Sequence, residues 1–526
     1  MIKKQTITAI VCGVLAIILA VVYFLTVVPA LAPKEEKVTP IELIDPLEVR
    51  TSDQTRVYMF PPLERARITR IEVQNKEGGY TFYKEKDGDF YIEGMESAPY
   101  DLYALAALVT TTGSGIATTR YLIDENTDLS VYGLADTDED RGCYILTDDR
   151  KNTHKVWVGK EAPSGDGFYC RYDGRPAVYL MKTTGYGVLY TDVYGLMTPN
   201  LGLTVAQTDY NYVTLIGAVK NGATLFETKT LTPEENGTNK TDSPIYSFEF
   251  TSKELSNFQV NDAQRSIYIG SLSGLAGSKA VAQGAEITTE RLKTEFKIDI
   301  DPKNTHFCVY YHYQAPESKN VEKAYIYISE PDKNGICYAY SSVYNIVVEI
   351  PLTSVSFYNY NVSDFIMPNI TLDSISTVSK IEISGKLPDE GIDVDSAYGI
   401  KSTVVDSETG KTEQSVWNIK TNETYTADEV KNFRQIYGDI VNIHVIGEYD
   451  RENVTDPKHI ATITITLTDG TVKKFDFYAY TSTRCYYTLN GELSEHYSFY
   501  VSRDTVEKVL RDTDYFNRGL TIDPNI

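Results

Sequence analysis

The residues that could carry chemistry include one acidic run and two glycine clusters, and none of them completes a reactive site. The run Asp136-Thr137-Asp138-Glu139-Asp140 begins like a calcium loop, but Arg141 stands at position 6 instead of glycine and Thr147 at position 12 instead of glutamate. Gly277-Ser278-Lys279 lacks the order of a phosphate loop, and Gly113-Ser114-Gly115 lies at a predicted helix end. We interpret the acidic run as a solvated turn and expect no nucleotide site.

The histidines form no metal or catalytic motif. His306 and His312 could lie along one strand, yet they alternate with Cys308 and Tyr310, a pattern that strand packing explains better than metal ligation. Neither an HExxH nor a GxSxG motif occurs, and sequence alone cannot place two carboxylates at glycosidase spacing. We therefore expect no catalytic residue, no metal, no cofactor and no enzymatic activity. The six histidines are His154, His306, His312, His444, His459 and His496.

The stretch from Cys143 to Met181 predicts the elements that organise the chain. Short runs of alternating, β-branched and aromatic residues are separated by polar turns rich in glycine and aspartate, which is typical of antiparallel hairpins. Four strands in sequence indicate a meander. They are Tyr144 to Thr147, Lys155 to Gly159, Phe168 to Tyr172 and Ala177 to Met181.

This meander pattern returns twice, in runs that begin near Phe307 and near Ala461. Taking Tyr144, Val309 and Ile465 as equivalent positions gives offsets of 165 and 156 residues, about the size of one small domain. The length of 526 residues also favours about three domains. We predict repeats at residues 61–204, 205–370 and 371–526.

Each repeat also has a predicted helix ahead of its meander. Leu102, Leu105, Ala106 and Val109 share one predicted buried helical face, and Thr426 with Glu429 forms a capping box before a third-repeat helix. Asp262 is a possible N-cap in the second repeat, where glycines weaken the apolar stripe. The predicted fold class is α+β and strand-dominated, with three divergent repeats of antiparallel meander plus helix.

The N-terminal segment carries no charge from Gln5 to Pro33, and its apolar part, Ile7 to Val28, is long enough to cross a bilayer. A signal peptide is the alternative, but its apolar region would be shorter, and Pro33 follows the one small-residue cleavage site, Ala30 to Ala32. We predict a cytoplasmic tail at 1–6, a transmembrane anchor at 7–28 in the lipid bilayer, and a stalk or linker at 29–60. The bulk of the chain would then be extracytoplasmic.

The net charge restricts the class of binding partner, and the positions of the cysteines predict whether disulfides form. The net charge of −23 argues against nucleic acid, because phosphate binding needs a basic face. Cys170, Cys337 and Cys485 fall on the same predicted meander strand, and Cys143 and Cys308 fall two strands earlier. An intervening strand would keep such pairs about 9–10 Å apart, beyond disulfide reach, so we expect free thiols.

The string VYGLADTDEDRGCYILTD, followed by HKVWVG, a glycine-rich turn, FYCRYDG and AVYLM, resembles the bacterial family catalogued as domain of unknown function 4340. The resemblance is best over residues 68–201, and it supplies no catalytic residues. It implies an extracytoplasmic, membrane-anchored protein of the cell envelope, often associated with ABC transport systems of the gliding-motility type.

Two functions therefore stay open, with an enzyme as a distant third. The first is an anchored scaffold that docks an ABC permease or another envelope protein; the long connections Thr232 to Pro244 and Leu387 to Gln414 are candidate contacts, or else tolerated insertions. The second is a binding module for an extracellular polymer or solute, whose ligand platform would be rows of tyrosines, although such rows are more often packing pairs. These tyrosines are Tyr311, Tyr313, Tyr325, Tyr327, Tyr338 and Tyr340.

Overall fold

The chain divides into two compact units, residues 1–93 with 101–196 and residues 94–100 with 197–526. The first unit contains one eight-stranded antiparallel sheet and the second contains two, so the predicted strand-dominated α+β class is confirmed. The structure is a computed structural model. It describes residues 2–28, 39–85, 88–96, 98–113, 119–182, 186–202, 213–231, 247–314, 320–406, 411–454, 457–493 and 497–523.

Sheet 1 is preceded by helix α1 (Ile2–Val22) and by a short hairpin of β1 (Val49–Arg50) and β2 (Val57–Tyr58). Its order is β5-β4-β3-β7-β8-β9-β10-β6, so the meander β7 to β10 joins β3 to the edge strand β6. The elements are β3 (Ile68–Asn75), β4 (Gly78–Lys84), β5 (Phe90–Ile92), α2 (Leu102–Gly113), β6 (Thr119–Leu122), β7 (Gly142–Asp148), β8 (Thr153–Glu161), β9 (Gly167–Tyr172), β10 (Ala177–Lys182) and α3 (Tyr186–Leu189).

Sheet 2 has the same arrangement, in the order β13-β12-β11-β15-β16-β17-β18-β14. Its elements are β11 (Val213–Lys220), β12 (Ala223–Leu231), β13 (Ser247–Phe250), α4 (Asp262–Leu272), β14 (Lys279–Gln283), α5 (Thr289–Thr294), β15 (Phe307–Tyr313), β16 (Glu322–Ile328), β17 (Ile336–Ser341), β18 (Ile346–Pro351) and α6 (Val362–Phe365).

Sheet 3 repeats the order as β21-β20-β19-β23-β24-β25-β26-β22 and ends with a further helix. Its elements are β19 (Val378–Leu387), β20 (Ile392–Asp406), β21 (Lys411–Asn418), α7 (Ala427–Val441), β22 (Val445–Glu448), β23 (His459–Leu467), β24 (Val472–Ala479), β25 (Arg484–Leu489), β26 (Phe499–Ser502) and α8 (Arg503–Asn517).

The three sheets share a register irregularity where the first strand meets the meander. The pairing shifts beside Asp148 in sheet 1, beside Tyr313 in sheet 2 and beside Leu467 in sheet 3. A β-bulge at one topological position gives a fixed reference for comparing the repeats. Counted from it, Tyr144 and Val309 are equivalent as predicted, but their counterpart in sheet 3 is Ile463, two residues before the predicted Ile465.

Each sheet has a core face, which packs against the helices, and an opposite outer face. In sheet 3 the core face carries Ile463, Phe475 and Cys485, and these pack with Phe433 of α7 and Leu510 of α8 in one cluster. The capping box predicted at Thr426 and Glu429 is present and starts α7. Burying one face of a sheet beneath helices gives the alternation of apolar and polar residues seen along the strands.

Part of the predicted linker is folded onto the first unit. Val57, Met59 and Phe60 are buried, and Glu48 forms an ion pair with Arg120, 72 residues further along the chain. The charged and proline-rich composition of 29–60 predicted a stalk, but Asp45 and Glu48 pair with Arg175 and Arg120 of the first unit. The prediction of a linker is therefore wrong for the segment that ends at Phe60.

The predicted membrane span, Ile7 to Val28, coincides with α1 and a short π-helical turn at Tyr23–Val27. Within the part of the chain that the structure describes, no helix has both the length and the apolar content needed to cross a membrane. The anchor stays a prediction.

The cysteines lie on the predicted strands. Cys170, Cys337 and Cys485 are buried in β9, β17 and β25, the third meander strand of each sheet, while Cys143 and Cys308 lie in β7 and β15. All six cysteines of the chain are free thiols. Burial raises the pKa of Cys337 to about 11 and that of Cys485 to about 12, so both stay protonated at neutral pH.

The connection predicted from Leu387 to Gln414 is not a loop. Most of it forms β20, which pairs with β19 up to Gly399 and continues beyond that sheet partner as a two-stranded hairpin with β21. Val404 and Val405 in this extension are exposed. The prediction of a loop is wrong here, because apolar and polar residues alternate along this segment as they do in a strand. The other predicted contact, Thr232 to Pro244, lies outside the described residues.

A buried carboxylate pair between α7 and α8 makes the stability of the third repeat depend on pH. Asp439 and Asp512 are each almost fully buried, and the Lys508 ammonium lies 2.7 Å from Asp512 and 3.8 Å from Asp439. Burial, together with the Asp512 carboxyl, raises the pKa of Asp439 to about 7, while Lys508 opposes the shift. The unfolded chain loses this proton at about pH 4, so stability should fall as the pH rises from 4 through 7.

We expect Asp439→Asn to raise the free energy of unfolding at pH 8 by about 1–2 kcal/mol and to leave it nearly unchanged at pH 4. Urea denaturation of the full-length chain at pH 4, 6 and 8 measures this difference. Asp395→Asn is the control, because the Asp395 side chain is 79% exposed. An equal effect of Asp439→Asn at all three pH values would contradict the assignment.

Candidate functional site

The outer faces of the three sheets are the candidate functional surface, because equivalent positions on them carry different chemistry. The position compared is the residue five places before the bulge residue, together with its partner on the next strand. It is Cys143 with Trp157 in sheet 1, Cys308 with Tyr327 in sheet 2 and Thr462 with Asp476 in sheet 3. The next strand adds Arg171, Tyr340 and Thr488, respectively. A common scaffold therefore presents an indole, tyrosines and a carboxylate at one position.

In sheet 1 the outer face is organised around the half-buried Trp157. The Arg141 guanidinium lies 4.2 Å and the Lys155 ammonium 4.1 Å from the centre of its ring, which are cation–π distances. The indole Nε1 donates a hydrogen bond of 2.8 Å to Asp173. These contacts fix the ring while leaving part of it accessible, as a contact residue at an interface requires.

In sheet 3 the equivalent position is polar and internally satisfied. Asp476 accepts hydrogen bonds from the Thr462 hydroxyl at 2.6 Å and from Lys474 Nζ at 2.9 Å. Burial alone would raise the pKa of Asp476, but these hydrogen bonds lower it below the ordinary value, so the carboxylate is ionised. His459 completes the group through a 2.9 Å contact with the Thr462 hydroxyl.

In sheet 2 the outer face carries a row of tyrosine rings that crosses three strands. Tyr310 lies 6.3 Å from Tyr325, Tyr325 lies 6.1 Å from Tyr327, and Tyr327 lies 6.1 Å from Tyr340, measured between ring centres. Neighbouring rings are inclined by 26° or less. The Tyr310 hydroxyl donates to Glu227 at 2.7 Å, and Tyr340 bonds to Asn345 at 3.2 Å. We call Tyr310, Tyr325, Tyr327 and Tyr340 the tyrosine row.

The predicted platform is only partly right. Tyr325, Tyr327, Tyr338 and Tyr340 share the outer face, but Tyr311 and Tyr313 point into the core and are 1% and 4% exposed. The prediction was wrong for these two tyrosines because the outer face of β15 is formed by Cys308, Tyr310 and His312. Tyr310 is therefore the tyrosine of β15 that pairs with Tyr325. A strand with tyrosines at adjacent positions places them on opposite faces, and only the pairing shows which faces outward.

One end of the tyrosine row is covered by the chain that follows β14. Phe296 packs edge-on against Tyr338 with 5.2 Å between ring centres, and Leu292 and Ile298 join the same cluster. Tyr327 and Tyr340 border this cluster and are half-buried. Tyr310 and Tyr325 form the other end of the row, away from this cluster, and are half-buried as well.

The acidic run and the histidines have local roles in the structure. Asp136 pairs with Arg141 and Asp140 with Lys76, while Ala135 N–H donates to Asp138 at 2.7 Å, as expected for a solvated acidic turn. Across the described ranges, no group of three or more histidine, cysteine, aspartate or glutamate side chains is placed to hold a metal ion.

Histidines make hydrogen bonds and ring contacts instead. His154 stacks on Phe60 at 4.3 Å, His306 bonds to the Tyr358 hydroxyl, and His444 lies 3.0 Å from the Asn369 amide. His496 lies outside the described residues.

Comparison with known proteins gives one relationship. No curated protein and no solved structure matches the chain. A family model described as Domain of unknown function (DUF4340) matches residues 91–294, which run from β5 of sheet 1 to the end of α5 in the second repeat. The resemblance stated from the sequence is thus confirmed over a segment, since residues 91–294 are similar to the domain of unknown function DUF4340.

Proposed function

We propose that the chain is a membrane-anchored extracytoplasmic scaffold that docks envelope proteins, and that it is an accessory component of an ABC transport system of the gliding-motility type. The observation that carries the proposal is the contrast between the faces of the sheets. Strand order and bulge position recur in all three sheets, whereas the equivalent outer residues are Trp157, Tyr327 and Asp476. A scaffold that keeps its fold and varies the residues of its outer faces suits different contacts.

The anchor and the location belong to the same proposal. An N-terminal helix through Val22, with residues 1–6 in the cytoplasm and 7–28 in the bilayer, would confine the sheets to the outer side of the cell membrane. Confinement raises the effective concentration of membrane partners, so that each docking face needs only modest affinity. The negative net charge of the chain favours partners with basic surfaces.

A second candidate function is a binding module for an extracellular polymer or solute, and the tyrosine row favours it. Tyr310 and Tyr325 form a half-buried aromatic end of the row, and stacking on aromatic rings is a common way to hold ring-shaped ligands. Most of the row is occupied by contacts among the tyrosines themselves, with Glu227 and with Asn345. The scaffold therefore stays the first proposal.

Crosslinking in native membranes tests the two candidates together. We expect an ABC permease or another membrane protein to be captured by the wild-type chain, and Trp157→Ala to reduce the capture at least threefold because it removes the docking residue of sheet 1. Tyr103→Ala is the matched control, since Tyr103 lies on α2 and is 90% exposed. Melting temperatures of both variants establish that the fold is intact.

Two results would contradict the scaffold. One is that the amount of captured membrane protein does not change, either in Trp157→Ala or when the chain is released from residues 1–28. The other is recovery of a soluble polymer alone, with no membrane protein enriched over a control anchor. If that polymer is lost in Tyr325→Ala, the binding module becomes the preferred function.

A further inference from the structure

The second unit contains a small aromatic cavity where the chain around Phe258 meets the ends of β24, β25 and β26. Its volume is about 60 Å³. It adjoins a larger cleft of about 660 Å³, and the two share Glu254, Asn257, Leu489, Glu492 and Leu493 in their walls. A narrow apolar recess at the side of a wide polar cleft is suited to the end of one side chain of a larger ligand. The aromatic residues that line it are Phe258, Tyr449, Phe475, Tyr487, Tyr497 and Phe499.

The walls of this cavity are built into the core and are held in place. Phe475, Tyr449 and Phe499 are at least 90% buried, and Phe258 meets Phe499 edge-on with 5.4 Å between ring centres. Arg451 donates a 2.7 Å hydrogen bond from Nη2 to the Tyr497 carbonyl, which fixes the chain leading into β26. The aromatic walls of the recess are therefore held by the core, whereas Glu492 and Leu493 at its rim are exposed.

Tyr487 supplies a polar group inside this apolar lining. Its hydroxyl oxygen is buried and has no hydrogen-bond partner among the residues that the structure describes. Burial raises the pKa of Tyr487, so the hydroxyl stays neutral and can accept a hydrogen bond from a ligand. A buried hydroxyl is normally satisfied, so an orphan one in a cavity wall points to a hydrogen-bonding group that occupies the cavity.

The charges at the mouth favour a cation. Glu254 and Glu492 line both the cavity and the cleft, while Lys253 lines the cleft only. The faces of tyrosine and phenylalanine rings attract ammonium groups and repel anions. A purely apolar group would fill the recess but would leave the Tyr487 hydroxyl unsatisfied, and a carboxylate or phosphate would meet the two glutamates.

We propose that this cavity binds an alkylammonium group, and specifically the end of a lysine side chain. The aliphatic stem would lie against Leu489, Leu493 and Phe258, and the ammonium would donate to the Tyr487 hydroxyl while Glu254 and Glu492 compensate its charge. A stem and a charged head are the two parts of lysine that need separate apolar and polar surroundings. This inference goes beyond the proposed function and stands without it, because it concerns a ligand and not the anchor or the transport system.

Binding of capped amino acids to the purified full-length chain tests the proposal. The probes are Nα-acetyl-lysine N-methylamide and its norleucine and glutamate counterparts, followed by calorimetry or by tyrosine ring signals in NMR. We expect saturable binding of the lysine probe, binding of the norleucine probe at least tenfold weaker, and none of the glutamate probe. Equal binding of lysine and norleucine, or no saturable lysine binding, overturns the proposal.

Variants locate the site and separate it from a general attraction to an acidic protein. Tyr487→Phe keeps the ring and removes the hydroxyl, and Glu492→Gln keeps the shape and removes the charge; each should weaken lysine binding at least threefold. The controls are Tyr103→Phe and Glu290→Gln, at exposed helix positions away from the cavity. Similar affinity in all four variants means that the cation binds elsewhere and overturns the assignment, whereas a failed membrane capture leaves this test unaffected.

Discussion

Replacing Glu48 by alanine is expected to lower the free energy of unfolding of the first unit by about 3–5 kcal/mol, because it leaves buried partners without their counter-charge. Glu48 Oε2 lies 2.6 Å from Arg120 Nη1, and its Oε1 accepts a 2.7 Å hydrogen bond from the Tyr179 hydroxyl. The Ile44 N–H donates to the same carboxylate at 2.9 Å. Both charged side chains are almost fully buried, so water cannot replace the lost carboxylate.

Denaturation in urea and hydrogen exchange of the full-length chain measure this effect. Amides of residues 41–60 should exchange faster in Glu48→Ala, because the carboxylate also holds the segment that precedes β1. Glu64→Ala is the control, as Glu64 is exposed and caps no helix with its side chain. A loss below about 1 kcal/mol, with unchanged exchange at 41–60, would show that the apolar contacts of Val57, Met59 and Phe60 hold the segment alone.

This buried network has a consequence for the proposed anchor. Arg175 strengthens the attachment by donating Nη2 to Asp45 at 2.9 Å and by lying over the Tyr172 ring at 3.9 Å. With the chain held from Ile41 onward, 12 residues separate it from Val28. Fully extended, these residues and their junctions span roughly 45 Å at most. The anchor proposed at 7–28 would therefore keep the first unit near the membrane surface.

The sequence predicted the repeated meander well because the strands carry short-range signals. The alternation in β7, β15 and β23, and the turns with Asp149 after β7 and with Asp469-Gly470 after β23, depend only on neighbouring residues, so they can be recognised without a structure. The placement of Cys170, Cys337 and Cys485 on one strand type follows from the same alignment. The error of two residues at Ile465 arose because the bulges that set the register are not visible in a periodic pattern.

The candidate site was harder to predict because it depends on pairing between strands. Tyr310 joins the tyrosine row through its partner Tyr325, while Tyr311 next to it is buried under the sheet. The buried network around Glu48 joins residues 72 and 131 positions apart, and no local pattern marks such pairs. The aromatic cavity at Phe258 and Phe499 likewise assembles two different repeats. One signal was available for the outer face of sheet 1, namely Trp157, one of the two tryptophans of the chain.

One helix position buries an apolar side chain in two repeats and a cation in the third. In α2, α4 and α7 the fourth residue after the N-cap position is Leu105, Arg265 and Val430, as shown by their N–H bonds to Asp101, Asn261 and Thr426. All three side chains are buried. A cation in a position that is otherwise apolar is a conflict between local chemistry and the fold.

Arg265→Met is expected to raise the free energy of unfolding of the second unit by about 1–4 kcal/mol, because a methionine of similar length removes a buried charge that has no ion-pair partner among the described residues. Arg265 has Nε 3.0 Å from the Thr228 hydroxyl and Nη2 3.1 Å from the Thr230 hydroxyl, while its Nη1 is buried without a described partner. Burial lowers its pKa to about 10, and the charge therefore persists at neutral pH.

The favourable contacts of Arg265 set the size of this gain. The guanidinium lies 3.8 Å from the centre of the Phe248 ring, a contact worth about 1–2 kcal/mol when desolvated. Thr230 keeps a hydrogen-bond partner in the variant, because its hydroxyl donates to the Val213 carbonyl at 2.7 Å. The Thr228 hydroxyl is fully buried and loses the hydrogen bond from Arg265. The double variant Arg265→Met with Thr228→Val removes this unsatisfied hydroxyl and should be more stable than the single variant.

Urea denaturation of the single variant, the double variant and the wild type completes the comparison, with Arg518→Met as the control. The Arg518 side chain is 61% exposed in a surface ion pair with Asp514, so its replacement should change stability by no more than about 0.5 kcal/mol. A loss of more than about 1 kcal/mol in Arg265→Met would show that the threonine and phenylalanine contacts outweigh the cost of burial. A gain would mean that folding stability does not account for an arginine at this position, and the cation would then have to be explained by a role that the other two repeats lack.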